Sequence, residues 1–295
     1  MKRTIALVLM FAVFVLSCVF VALYPQSDDV PTDDIVLIDG HLAQVEQPMN
    51  NTMADYAIRL FARVHDEHLS SNDCYFALIP DKYKYLGDKE NEYTEFYDYM
   101  CSGLSFATPI ELYDLLGADD YYRTDPHWRQ DKIIDVAKRI NGAIGVECDY
   151  DFTEVATVSH FVGNYAQRSD IAVSADDLTY LSNDVIDDTV IKEGIPVYDL
   201  TKLSTTEPYD FFLSGNQSVV TMKNNSAQND QRLIIFRDSF ASSLAPLLLD
   251  GYSEVVLVDL RYVMSDMVAD YVDFSDADVL FLYSTTLLNN SFSMK

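Results

Sequence analysis

The chain has 295 residues, 49% of them hydrophobic, and a formal net charge of −27 at pH 7. That length and apolar content suit one sizeable α/β core. A surface so acidic repels phosphate, which argues against nucleic acid as a partner, and it suits a neutral glycan better than an anionic polymer. The chain opens Met1-Lys2-Arg3 and then carries no charged residue from Thr4 to Ser27. Its core, Ile5 to Tyr24, is about 20 residues, the length of a membrane-spanning helix. A secretory signal peptide has a shorter apolar stretch, so an uncleaved signal anchor is expected over residues 1–27. Lys2 and Arg3 then hold the N-terminus in the cytoplasm and leave the rest outside. Val15-Leu16-Ser17-Cys18 offers a second reading, a lipoprotein site with Cys18 as lipid anchor. Against it, the apolar run continues past the cysteine. Residues 28–34, rich in aspartate, read as a linker, and residues 35–295 as one extracytoplasmic domain.

Within that domain Ile35–Ile38 and Leu42–Val45 flank Asp39-Gly40, a strong hairpin signal. Residues 52–67 carry Ala57, Leu60, Phe61 and Val64 at helical spacing. The compact apolar run 75–79, closed by Pro80, suits a central strand. Residues 90–101 read as an amphipathic helix, and residues 128–140 as another with Ile133, Ile134 and Val136 towards the core. Residues 150–225 are the least legible, with short strands and loops that suit a substrate-facing insertion. The last third alternates plainly: strand 232–236, helix 240–249, strand 254–259, helix 263–271, strand 278–283. Such a βαβαβ rhythm predicts parallel strands covered by helices on both faces, a doubly wound α/β sandwich.

Cys74, Cys101 and Cys148 lie outside the apolar N-terminal segment. An oxidising exterior permits one disulfide, Cys74 with Cys101 first if any forms. No common zinc spacing is present. His65 and His68 stand one helical turn apart and are read as part of a solvated helix face rather than as metal ligands. No cofactor is implied.

Two short segments carry the chemistry. Arg237-Asp238-Ser239-Phe240 follows the strand Leu233–Phe236 and precedes a helical pattern. Ser239 is therefore expected at a strand-to-helix turn, at the carboxyl end of its strand, where such sheets place ligands. There its N–H sits near the positive end of a helix, the location a serine nucleophile needs. Thr124-Asp125-Pro126-His127-Trp128 supplies a base and a carboxylate. Pro126 biases Asp125 towards extended backbone, so Asp125 and His127 can point the same way. Each segment alone has a plain structural reading, Ser239 or Asp125 as a helix cap. Together they predict a Ser239–His127–Asp125 triad.

These residues also carry a resemblance. The chain resembles the DHHW family, a branch of the SGNH hydrolase-like superfamily related to alginate O-acetyltransferases of the AlgX/AlgJ type. The resemblance rests on Thr124–Trp128, Arg237–Phe240 and Val256–Tyr262, with weaker support from Ile79–Lys82, Phe161–Tyr165 and Phe211–Asn216. It implies an SGNH hydrolase-like sandwich with a mostly parallel sheet, and catalytic roles for Asp125, His127 and Ser239. Two positions depart from the pattern. Pro126 stands where the family motif has histidine, and Arg237 where the superfamily has glycine. Arg237 is a candidate substrate contact, although pairing with a carboxylate is the first expectation for it. The Gly-Asn pairs at 163–164 and 215–216 are turn signals and oxyanion-hole candidates; Asn216 is preferred because it is nearer Ser239 in sequence. Tyr122, beside the Asp-x-His pair, and Tyr262, at a strand end, are candidates for contact with a sugar.

The expected function is a membrane-anchored serine O-acyltransferase or esterase acting on cell-surface carbohydrate. Its partners would be a glycan or polysaccharide, the membrane through the N-terminal helix, and an acetyl donor, for which a membrane O-acyltransferase is one source. The alternative is a non-catalytic carbohydrate-binding or polysaccharide-assembly protein on the same fold.

Overall fold

In the computed structural model, residues 35–45, 49–87, 89–152 and 154–295 are described. The expected signal anchor, the Cys18 anchor and the linker 28–34 all lie outside these residues. Among the described residues no helix is long and apolar enough to cross a membrane.

Strands β1 (Ile35–Ile38) and β2 (His41–Gln44) form the expected hairpin. Asp39 and Gly40 both have positive φ, 48° and 81°, as its two-residue turn requires. Helix α1 (Asn51–Val64) is capped by the Asn50 side chain, which accepts from the Thr52 and Met53 N–H groups. Next come β3 (Cys74–Ile79), α2 (Glu90–Gly103), β4 (Ala107–Ile110) and α3 (Ile134–Ile144). Strands β5 (Glu154–Phe161) and β6 (Asp176–Ser182) pair antiparallel in a separate ladder. Further along the chain, apart from short helical turns, come β7 (Val190–Ile191), β8 (Val219–Lys223), β9 (Arg232–Arg237), α4 (Ala241–Leu248), β10 (Glu254–Val258) and β11 (Asp278–Ser284).

Seven strands form the central sheet in the order β4-β3-β11-β9-β10-β8-β7. The first five run parallel, and β8 and β7 are antiparallel additions. Alternation along the strands divides the interior into two cores. Leu233, Ile235, Val255, Leu257, Leu280 and Leu282 pack with Val136 and Ile140 of α3 and Leu244 and Leu248 of α4. Ile234, Phe236, Val256, Val258, Val279 and Phe281 pack with Leu60, Phe61 and Val64 of α1 and Phe96 and Met100 of α2. The architecture is thus helices on both faces of a mostly parallel sheet, as expected. β10 lies on one side of β9 and β11 on the other, so the winding reverses around β9, a switch point at which such sheets open a crevice.

Several local expectations are corrected. Residues 263–271 make a 3₁₀ turn (Ser265–Asp270) rather than a full helix; Val263, Val268 and Val272 are buried while Met264 and Met267 face outward. The helix expected from 128 begins at Ile134, because Trp128 is held in a bridge opposite Tyr121. Part of the illegible stretch, β7 and β8, belongs to the main sheet. Cys74, Cys101 and Cys148 are free thiols, so the Cys74–Cys101 pairing is not formed. His65 and His68 are half-buried and not on a solvated face: their rings stack on Phe106 and Phe274.

Candidate active site

β9 ends at Arg237 and α4 begins at Ala241, which leaves Ser239 in a tight connection. The connection is tied down by Asp238. Its Oδ1 accepts the Phe240 N–H at 3.0 Å, and its Oδ2 accepts the Ser284 N–H at 2.7 Å, from the end of neighbouring β11. Ser239 is partly exposed between buried neighbours, at the carboxyl end of its strand.

The second arm is the loop from 120 to 129. Backbone bonds from Tyr122 N–H to the His127 carbonyl (3.1 Å) and from Arg129 N–H to the Asp120 carbonyl (2.8 Å) pinch it into a hairpin-like turn. Asp125 Oδ1 accepts both the His127 backbone N–H (3.1 Å) and a hydrogen bond from ring Nδ1 (2.7 Å). The two side chains therefore meet through a turn around Pro126, not through an extended segment. Proline at the tip costs nothing, since the loop needs no N–H there.

On the far side of the ring, His127 Nε2 is 2.7 Å from Ser239 Oγ. The distance closes a continuous chain from carboxylate to imidazole to hydroxyl, across 112 residues of sequence. Ring orientation is fixed further by Tyr209, stacked parallel to the imidazole with centroids 3.7 Å apart. Tyr209 Oη donates to Ser243 Oγ at 2.7 Å, and the same oxygen accepts from Trp128 Nε1 at 3.0 Å. The residue after the histidine thus anchors the loop to α4.

Asp125 is 1% exposed. Burial pushes its carboxyl up, but the His127 charge and hydrogen bonds from His127 and the Asn164 N–H outweigh that and hold it below the usual range. It is an ionised acceptor, as a carboxylate that orients an imidazole must be. Asn164 N–H donates to its Oδ2 at 2.9 Å, at the first turn of a short helix. Gly163 allows this approach: a Cβ there would lie 2.2 Å from the Asp125 Cβ. The preceding residue, Thr124, is held by Asp176 at the start of β6, which takes both its N–H and its hydroxyl. The insertion supports the loop that carries Asp125 and His127.

The other expected contacts scatter. Asn216 is exposed, and its Oδ1 accepts from Arg261 Nη2 at 3.3 Å; no contact joins it to Ser239. Tyr262 is 50% exposed beside Arg261, available on the surface near the sheet end. Tyr122 is fully buried against Phe161, so it supports the loop from beneath and offers no face to a sugar. Arg237 is also fully buried, its Nη1 donating to the Asp238 carbonyl and the Ser242 hydroxyl. A side chain sealed under the Ser239 turn cannot reach a substrate.

Three contributors were not foreseen. Tyr209 gives no sequence signal, being one aromatic among many. Asp176 lies in the stretch whose elements were unreadable. Lys82 is buried beneath the loop, its Nζ donating to the carbonyls of Tyr122 (2.7 Å) and Asp125 (2.8 Å); its segment, Ile79–Lys82, had been only a weak point of resemblance.

Neither family models nor curated proteins match the sequence. Solved structures do. A DHHW family protein from Eubacterium siraeum superposes with a TM-score of 0.73 over 90% of this chain and 96% of its own, at 21% identity. The chain folds like a DHHW family protein. Bacillus cereus PatB1, captured with a sulfonyl adduct, gives 0.68 at 21% identity, covering 86% of this chain and 95% of its own. The O-acetyltransferase domain of Pseudomonas putida AlgJ gives 0.53 at 10% identity, covering 86% and 92%. The relationship to DHHW and AlgJ-type folds is the one the motifs led us to expect.

Proposed function

We propose that the chain is a serine O-acyltransferase or esterase that handles acetyl groups on carbohydrate. The observation that carries this reading is the unbroken chain from Asp125 Oδ1 through His127 to Ser239 Oγ, with both side-chain links at 2.7 Å. His127 Nε2 takes the Ser239 proton while Oγ attacks the acetyl carbonyl, and Asp125 stabilises the imidazolium that forms. His127 then returns the proton to the leaving oxygen and an acetyl-Ser239 ester remains. Attack by a sugar hydroxyl completes transfer; attack by water completes hydrolysis. Of the neighbours, the AlgJ domain is described as an O-acetyltransferase, which supports acetyl chemistry and favours transfer. With the apolar segment 5–24 as anchor, the domain would work outside the cell on surface glycan, taking its acetyl group from a membrane-embedded donor system.

The two departures from the family pattern do not favour a binding-only reading. Pro126 leaves the Asp125–His127 contact intact, and Arg237 lies beneath the turn. The test incubates the protein with a small acetyl ester and with a sulfonyl fluoride probe. Turnover and covalent labelling are expected in the wild type and neither in Ser239→Ala; equal turnover by both proteins, well above background, would remove Ser239 from the mechanism.

A further inference from the structure

Lys82 is 2% exposed, at the carboxyl end of β3, and an ammonium is costly to bury. Its neighbours explain why it is there. Nζ donates to the carbonyls of Tyr122 and Asp125, both in the loop that carries the Asp125–His127 turn. The ring of Tyr165 lies 5.1 Å from the same nitrogen. Charged and titratable groups face it from each side: Asp125 on the loop, Asp176 on β6, Asp81 beside it on its own segment, and His41 on β2. Burial pushes the ammonium down to about 7 against the pull of the three carboxylates.

The foundation beneath it is equally fixed. Asp81 Oδ2 accepts from Tyr93 Oη and Thr285 Oγ1, and its Oδ1 accepts the Tyr83 N–H. The main sheet thereby reaches the catalytic loop through a rigid peg. The loop makes no sheet pairing of its own beyond the Tyr121–Trp128 bridge, so its two carbonyls would otherwise have to be satisfied by water in a buried place.

We propose that Lys82 is the positioning residue of the Asp125–His127 arm, its ammonium clamping the Tyr122 and Asp125 carbonyls so that the carboxylate stays behind the imidazole. The proposal rests on the serine acyl-transfer reading above. It assigns Lys82 no contact with substrate. It makes turnover, rather than substrate affinity, the quantity that depends on this buried cation.

The experiment uses Lys82→Ala, which removes the equivalent of propylammonium, and Lys82→Met, which fills the space with a neutral chain. Hydrolysis of a small acetyl ester and sulfonyl fluoride labelling of Ser239 are measured in the full chain. A misplaced catalytic group costs up to about 100-fold in rate, so kcat is expected to fall by about 10- to 100-fold in both variants, with KM within about twofold. Adding n-propylammonium to Lys82→Ala should restore about tenfold of that loss; n-propanol, of similar size but uncharged, should restore none. Wild-type kcat in a folded Lys82→Met protein, or equal rescue by propanol, would overturn the clamp. If Lys82→Ala does not fold, Lys82→Met alone decides by the same kcat criterion. An inert wild type would instead overturn the acyl-transfer reading and the clamp with it, a result distinct from an active wild type with active variants.

Discussion

Both oxygens of Asp125 are engaged, Oδ1 by the ring and backbone nitrogens of His127 and Oδ2 by the Asn164 N–H. That arrangement makes a specific prediction about Asp125→Asn. An amide has only one acceptor oxygen. If it faces the Asn164 N–H, its NH₂ meets His127 Nδ1 and favours the tautomer protonated at Nε2, which cannot take the Ser239 proton. Turnover should drop by about 100-fold or more, while the fold persists, as circular dichroism and a single cooperative melt would show. An unchanged rate would return Asp125 to a purely structural turn and leave at most a Ser239–His127 dyad.

At the scale of elements, Ser239 is placed by a strand end, a turn and a helix start, and Asp238 binds them to a fourth piece, the end of β11. Asp238→Ala leaves the buried N–H groups of Phe240 and Ser284 without their present partner. Unpaired buried donors cost about 1–3 kcal/mol each, so the melting temperature should fall by several degrees. Catalysis should fall as well, since the turn carrying Ser239 loses its tie to the sheet. A variant as stable as wild type, measured by denaturant midpoint at unchanged slope, would mean that packing of Phe236 and Phe240 alone sets this turn. The same scale describes the missing helix over 263–271: Val263, Val268 and Val272 join the core on the face that α1 and α2 cover, but the backbone between them makes only a 3₁₀ turn.

For the whole molecule, electrostatics rather than core size should govern how stability responds to conditions. The net charge is −27, and burial pushes the carboxyls of Asp81, Glu207, Asp210, Asp250 and Asp278 upward. A carboxyl raised in the folded state binds protons more readily there than in the unfolded chain, so lowering the pH through that window adds stability. Asp125, Asp114, Asp199 and Asp273, held low, work the other way, as does His41, whose imidazole burial pushes down: what each contributes is present above the unfolded value and is lost as pH falls through the folded one. With five raised carboxyls set against one lowered imidazole in mild acid, the melting temperature should rise as pH falls from about 7 towards about 5 and decline in stronger acid, once the low carboxyls are protonated. Added salt should raise it at pH 7 by screening self-repulsion. A melting temperature that falls steadily from pH 7, or ignores salt, would contradict this account. By itself the sequence determined the parallel core strands, the helices against them and the hairpin at Asp39-Gly40, and it singled out Asp125, His127 and Ser239, because apolar periodicity, turn chemistry and short motifs are local properties. Only the tertiary structure decided that Pro126 is harmless, that Arg237 and Tyr122 are sealed inside, that Gly163 serves Asp125, and that Lys82, Asp176 and Tyr209 hold the loop. Those facts depend on contacts between segments distant in the chain, and burial of a polar side chain leaves no period or motif from which it can be read.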